Sequence, residues 1–514
     1  MLGHAPAPLF WGVYGAAAVV VVVFLWWLGK RPFRLGVSVA AFSVTVFAPL
    51  FLSLGAETAA HPADTGSGSS HAVKHVILIT IDTLRQDALG CYNGNPASTP
   101  NIDAFARESA VFTNAYSCAP WTYPSIASIL TGLAPRVHQL IDGKTKLPEN
   151  VPTMAESMAT AGYQTAALGY NSVLLPRSEL DRGFHEYAWF PTHGLPVKNF
   201  EVGLTHELLD MAAVQRPDTA QLTDMAIQWF KEKGRQDTFF WLHYFDPHMP
   251  YMPPEEFLPA DPEQRALGSF FWDVKLARGG GVARTAVERA WIRALYDGEV
   301  RYVDAQVGRL LDALKQSGIY DDALIVLTSD HGEEFWDHGR FEHGHTLFNE
   351  LLHVPLLIKL PANQEGRTVD ACVTTEAIAP TVLNLCGVAP KSAETLPPPL
   401  SPLLNGAQEA YAAQPAFSGA TLFHDPAESV VFDGMKYVRQ TVSGRETLFN
   451  LNQDPKELNP IGEQDPENLA KGRQLLDAEL AAAPQLVEKL GIRVNEEDRL
   501  DPRDVQTLQA LGYL

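Results

Sequence analysis

The sequence predicts an α/β fold: a mostly parallel sheet between helices, a small C-terminal antiparallel subdomain, and an N-terminal transmembrane helical hairpin. Three observations predict it. From His75 onward, short apolar strands alternate with amphipathic helical stretches. Residues 429–450 alternate apolar and polar side chains, the period of half-buried antiparallel strands. Two uncharged apolar runs, residues 9–28 and 35–54, come before either pattern and are each long enough to cross a bilayer.

The N-terminal runs set an orientation. No Lys or Arg precedes the first run, so it lacks the basic start of a cleavable signal peptide. Lys30, Arg31 and Arg34 lie in the connector, which the positive-inside rule places in the cytoplasm. Trp26 and Trp27 beside it suit the membrane interface. Residues 1–55 are therefore expected to be two membrane-spanning helices, with everything after them on the extracytoplasmic side. A buried helical hairpin is the alternative reading. Residues 56–74, rich in Ala, Gly, Ser and His, read as a flexible tether.

Strands are expected at 76–81, 165–169, 238–245 and 323–329, and helices at 124–131, 152–161, 219–233 and 284–316. The last helix should end near Gly318. The run Pro397-Pro398-Pro399 marks a boundary, giving a catalytic domain over 75–400 and a C-terminal subdomain with tail helices over 401–514. A formal charge of −21 argues against a nucleic-acid partner, which would need clustered Lys and Arg. The four cysteines show no paired metal spacing and are expected to be free thiols.

Four residues carry the chemistry. Asp82 ends the run Val76-Ile77-Leu78-Ile79-Thr80-Ile81, and Asp330 and His331 follow Leu324-Ile325-Val326-Leu327-Thr328-Ser329. Ligands of open α/β sheets collect beyond the carboxyl ends of strands. Thr122 opens a helix whose first turn suits Pro124 and whose end suits Gly132. There its hydroxyl would meet free N–H groups and the positive end of the helix dipole. Taken alone, Thr122 reads as an ordinary N-cap. Together, Asp82, Thr122, Asp330 and His331 make a hard O/N ligand set for one divalent metal, zinc or manganese first and calcium as an alternative.

Several motifs in order then resemble the sulfatase family of the alkaline phosphatase superfamily. The resemblance runs over about residues 75–455. The first strand with Asp82, and Thr99-Pro100-Asn101-Ile102-Asp103 after it, look like the family's first metal-binding segment. The segment from His243 through Asp246, Pro247 and His248 to Tyr251 is similar to its anion-binding histidine motif. Ser329-Asp330-His331-Gly332-Glu333, with Asp337-His338-Gly339 and Val354-Pro355, resembles its second metal-binding block. Glu446-Thr447-Leu448-Phe449-Asn450-Leu451 and Asp454-Pro455 resemble its C-terminal subdomain.

The departures bear on mechanism. Family sulfatases carry Cys or Ser, then x-Pro-x-Arg, and oxidise that residue to formylglycine. Ten residues before Gly132 this chain has Thr122, and the Arg position holds Ile126. Cys118-Ala119-Pro120 is out of register and reads as a decoy, so no formylglycine is expected. The family's Gly-Lys-Trp-His appears as Gly169-Tyr170-Asn171-Ser172, and Thr83 stands where a second Asp ligand is common. A threonine ester has no second hydroxyl to expel sulfate by collapse, so its adduct must be cleaved at phosphorus or sulfur.

The resemblance implies a metal-dependent ester hydrolase in which Thr122 is the nucleophile. His248 or His345 would protonate the leaving alcohol, and Asn171, His243 and His343 would bind the anion. Asp246 with His248 and His343 is the alternative as a second metal site. The substrate is expected to be an anionic phosphate or sulfate ester, phosphoester favoured, on a glycan or lipid of the envelope. Head-group transfer is the alternative to hydrolysis. Trp189, Phe190, Phe270, Phe271 and Trp272 are candidate cleft aromatics in the loops 189–206 and 252–281.

Overall fold

The computed structural model describes residues 57–60 and 71–510, apart from 96–97, 191–218, 260–284, 364, 392–394, 408–410, 412–413 and 424. The two apolar N-terminal runs, and the membrane expectation built on them, lie outside the described residues. Among the described residues no helix is long and apolar enough to cross a membrane.

The strands are β1 (Glu57–Ala60), β2 (His75–Ile81), β3 (Ala110–Tyr116), β4 (Gln164–Tyr170), β5 (Glu186–Phe190), β6 (Thr238–Tyr244), β7 (Ala323–Ser329), β8 (Glu334–Phe335), β9 (Phe341–Glu342), β10 (Leu356–Lys359) and β11 (Arg367–Thr374). Among the described residues nine of these form one sheet in the order β1-β5-β4-β6-β2-β7-β10-β3-β11. The central run from β5 to β7 is parallel throughout. β10 pairs antiparallel with both neighbours, and β1 pairs antiparallel with β5 at the edge. Residues 57–60 therefore belong to the sheet, although composition places them in the tether.

β2 sits at the centre because both of its faces are apolar. Val76 and Leu78 feed one hydrophobic core, while Ile77, Ile79 and Ile81 feed the other. A strand buried on both faces reads as continuous β-branched and Leu residues, since parallel strands are covered by helices on each side. Each such side chain contributes about 2 kcal/mol by leaving water. The helices Thr122–Thr131, Met154–Thr160 and Ile378–Leu385 cover the first face. Pro100–Ala106, Thr219–Lys233 and Ala286–Gln316 cover the second.

Two of these helices start on reciprocal caps. Thr153 pairs with Glu156, and Thr285 with Glu288. The C-terminal sheet, β12 (Ala416–Ser418), β13 (Ala427–Phe432), β14 (Met435–Gln440) and β15 (Glu446–Asn450), is antiparallel throughout, as the alternation over 429–450 predicts. It packs against the helix Pro466–Lys489 through Val430, Phe432, Tyr437, Leu448 and Leu476. Residues Glu57–Leu514 form one compact unit by contact, and the Pro-rich run at 397–399 lies within it.

Candidate active site

Sheet register brings the acidic residues together. Ile81 on β2 pairs with Ser329 on β7, so Asp82 and Asp330 leave adjacent strands at the same level. Thr80 pairs with His243 on β6, which sets that histidine on the other side of Asp82. Thr122 arrives from a different part of the sheet. β3 ends at Tyr116, a short turn follows, and the helix Thr122–Thr131 begins. Gly132 closes that helix at φ 71°, a left-handed conformation that glycine adopts without strain.

The four residues meet in one buried cluster. Thr122 Oγ1 lies 3.2 Å from His331 Nε2 and 3.4 Å from Asp82 Oδ1. His331 Nε2 lies 3.6 Å from Asp82 Oδ1 and 3.5 Å from Asp330 Oδ2. One ligating atom from each of Asp82, Asp330 and His331 falls within 4.8 Å of the others. The His331 ring is oriented by Nδ1, which donates to the Gly332 carbonyl at 2.8 Å and leaves Nε2 as the inward nitrogen.

This cluster fits a cation. Asp330 Oδ1 accepts from the Thr83 and His331 N–H groups, but Oδ2 is buried with no hydrogen-bond partner. Burial and the adjacent Asp82 charge push the Asp330 carboxyl far above the usual range. Burial also raises Asp82, but His248, His243 and His331 outweigh it and hold that carboxyl below its ordinary value. Desolvation lowers both His331 and His248. Two buried carboxylates beside a neutral imidazole are costly without a positive charge between them. Thr83 also stands at φ 55°, a strained conformation for a β-branched residue, with its carbonyl held by Tyr296.

Asn171 holds the metal cluster itself. Its side-chain amide donates to Asp82 Oδ2 at 2.8 Å, and its carbonyl oxygen accepts from the Val173 N–H at 3.0 Å. The resemblance implies a substrate-binding role, and the geometry makes Asn171 a hydrogen-bond partner of Asp82. His243 Nε2 lies 3.5 Å from the same carboxylate oxygen, and its Nδ1 meets Thr80 Oγ1 at 2.8 Å.

The remaining histidines divide into two kinds. The His343 ring is 4.5 Å from that of His331 and 5.0 Å from that of His248. Its Nδ1 meets Glu333 Oε1 at 2.8 Å, and the other Glu333 oxygen accepts from Tyr251 Oη at 2.9 Å. His248 donates Nδ1–H to the Met249 carbonyl at 2.7 Å and stacks on Phe245. His345 has both nitrogens engaged, Nδ1 with the His343 carbonyl at 3.1 Å and Nε2 with Glu334 at 2.9 Å. It braces its turn through these two bonds, neither of which goes to Thr122.

Two further expectations meet a different geometry. Asp246 accepts from Thr219 Oγ1 at 2.6 Å, and among the described residues Asp82, Asp330 and His331 are the one group of three or more side chains placed to share a metal. Trp189 is fully buried, stacks 4.9 Å from Tyr187, and donates Nε1–H to the Asn171 carbonyl, so it packs behind the site and does not line a cleft. Phe190 ends the same strand, while Phe270, Phe271 and Trp272 lie outside the described residues. The Cys118 thiol faces Thr375, and burial pushes its pKa far up, as befits an inert thiol. Glu333 is the site residue that sequence reasoning passed over. Its position two residues after His331 is the sequence signal that marks it.

A sequence model of the sulfatase family matches residues 74–388, well over half of the chain. The chain belongs to the sulfatase family. As a member it is a metal-dependent hydrolase of sulfate or phosphate esters, and the buried Asp82, Asp330 and His331 could hold its metal. An arylsulfatase of Clostridium perfringens is 27% identical over 79% of this chain and 94% of its own length. A multifunctional alkaline phosphatase superfamily protein of Trinickia caryophylli is 26% identical over 61% of this chain and 74% of its own. A phosphonate monoester hydrolase from Silicibacter pomeroyi superposes with a TM-score of 0.64 at 23% identity. It covers 84% of this chain and 99% of that one, and the likeness is one of fold. In this sulfatase-family chain Asp82, Asp330 and His331 are placed to share a metal, and Thr122 lies beside them.

Proposed function

We propose that this protein is a metal-dependent phosphoester hydrolase that works through a covalent Thr122 ester and is held to the membrane by its first 55 residues. The observation that carries the reading is Thr122 Oγ1 standing within 3.4 Å of both Asp82 and His331. When bound, a divalent ion at Asp82, Asp330 and His331 would lower the pKa of the Thr122 hydroxyl and neutralise charge on the transferring group. Zinc or manganese suits the donor set best.

Thr122, its proton given to solvent, forms a bond from Oγ1 to phosphorus, and the bond to the leaving alcohol breaks in line. His343 is the residue best set to protonate that alcohol at Nε2. Glu333 holds its other nitrogen and favours the protonated ring, as a carboxylate orients a catalytic histidine. His243, 3.5 Å from Asp82, and His248, whose ring is 5.0 Å from that of His343, are assigned to the non-bridging oxygens. Water then attacks the phosphorus and gives one proton back to His343 as the phosphorus–Oγ1 bond breaks, and Thr122 Oγ1 takes up a proton from solvent to restore the hydroxyl.

Threonine favours phosphorus because its adduct must be opened by attack at the central atom. A sulfate-ester reading is favoured by the arylsulfatase relative. Transfer to an envelope glycan or lipid is favoured by the apolar N-terminal runs. Rates on an aryl sulfate, an aryl phosphate monoester and an aryl phosphodiester, with metal quantified, test the assignment. Mass spectrometry of quenched turnover should find a phosphorylated Thr122 peptide. Formylglycine at any position, with sulfate as the preferred ester, would overturn the phosphoester reading. Product formed only with an added acceptor sugar would favour transfer.

A further inference from the structure

Residues 418–423 belong to the C-terminal part of the chain, yet they bind both turns that face each other across the site. On one side, Ser418 Oγ donates to the Ser117 carbonyl at 2.7 Å and the Gly419 N–H to the Cys118 carbonyl at 2.9 Å. The Trp121 indole N–H donates to the Ala420 carbonyl at 2.7 Å. Those three bonds hold the turn that delivers Thr122. On the other side, the Leu422 and Phe423 N–H groups both donate to the Gly344 carbonyl, at 2.7 and 3.1 Å. Gly344 follows His343 directly. The Gly344 N–H in turn donates to the Pro120 carbonyl at 2.9 Å, closing the ring of contacts.

The segment is built for close approach. Gly344 has φ 82°, and a Cβ there would lie 3.3 Å from the Phe423 ring. Ala420 is held at φ 56°, a conformation that costs an L-residue energy unless its surroundings enforce it. Trp121 and Ser418 are both buried, at 3% and 5% exposure; the Ser418 bond is buried and the Trp121 bond part-buried.

We propose that residues 418–423 are a positioning strap that sets the spacing between the Thr122 turn and the His343 turn, so that attack and leaving-group protonation occur in register. The proposal rests on the Thr122 and His343 roles above. Its consequence is specific. A small increase in the distance from His343 to the leaving oxygen slows reactions that need the proton, while a good leaving group departs without it.

Trp121→Phe removes the indole N–H from Ala420 and keeps a ring in the core, and Ser418→Ala removes the bond to Ser117. The full chain carrying both changes is compared with the parent on two phosphodiesters, one with an alkyl and one with a 4-nitrophenyl leaving group. Thermal midpoint and metal content are measured alongside. We expect kcat on the alkyl ester to fall about ten- to hundredfold at unchanged KM, and kcat on the nitrophenyl ester to fall by about threefold or less. Equal losses on both esters, or no loss on the alkyl ester in a folded, metal-replete variant, would overturn the strap. Should the double variant fail to fold, Ser418→Ala alone is held to the same comparison. Failure of the underlying mechanism reads out separately, as turnover by Thr122→Ala.

Discussion

Thr122 and His331 are 209 residues apart in the chain, and their side chains meet at 3.2 Å. Each is delivered by a different strand, β3 and β7, and neither is adjacent to the other in the sheet. The contact gives the hydroxyl its environment: two carboxylates, an imidazole and the start of a buried helix. Replacing Thr122 with alanine should therefore lower kcat by at least about a thousandfold, the scale of losing a covalent nucleophile. Metal content should persist, because Asp82, Asp330 and His331 remain. Steady-state rates beside elemental analysis check both halves, and an active Thr122→Ala enzyme would remove the nucleophile.

Asn171 offers a sharper division between two roles. A residue that binds substrate raises KM when removed, whereas one that orients a metal ligand weakens the metal. Its amide is spent on Asp82 Oδ2, so Asn171→Ala should reduce metal affinity about ten- to hundredfold, as loss of an outer-shell partner does. KM measured at saturating metal should hardly move. Competition with a chelator gives the first quantity. A raised KM with unchanged metal affinity would return Asn171 to the substrate.

Glu333 is expected to act through His343. Glu333→Gln keeps the shape of the side chain and removes the charge that favours a protonated ring. On an alkyl phosphodiester kcat should drop about a hundredfold, within the range of general acid catalysis, with a smaller loss on an aryl ester. If both esters lose rate equally, proton donation by His343 is not what Glu333 supports.

The grouping of Asp82, Asp330 and His331 was legible in the sequence because each follows a strongly patterned strand. β2 and β7 are continuous apolar runs, so the residues following them had to lie at the carboxyl edge of the sheet. Thr122 was legible through Pro124 and Gly132, which bracket its helix. What could not be read were contacts made through backbone or across distant turns. β3, β5, β10 and β11 escaped notice because Thr113 and Asn114 interrupt one, Glu186 opens another, β10 has four residues, and β11 mixes exposed and buried positions. The surroundings of His345 and Asn171 are hidden for the same reason. Sequence shows that a histidine or an amide is near the site, but only Glu334 and Asp82 in place show where its nitrogens are spent. Residues 57–60 pair with β5 in the sheet, and no composition rule announces that.

A final prediction concerns stability, at a residue away from the metal. His338 stacks on Phe348 with ring centroids 3.5 Å apart, and its Nδ1 meets Glu350 Oε1 at 2.6 Å. Burial works against its charge, but Glu350 outweighs burial and lifts the pKa from 6.5 to about 9. The folded state thus binds this proton more tightly than the unfolded chain does. By linkage the stabilisation is complete below pH 6.5 and disappears as pH rises through about 9. Denaturant midpoints of the parent should fall across that window. In His338→Gln, which keeps a hydrogen-bonding side chain but cannot titrate, the fall should be shallower and the low-pH stability lower. Identical pH profiles for parent and variant would mean that the Glu350 pair does not hold the charge on His338.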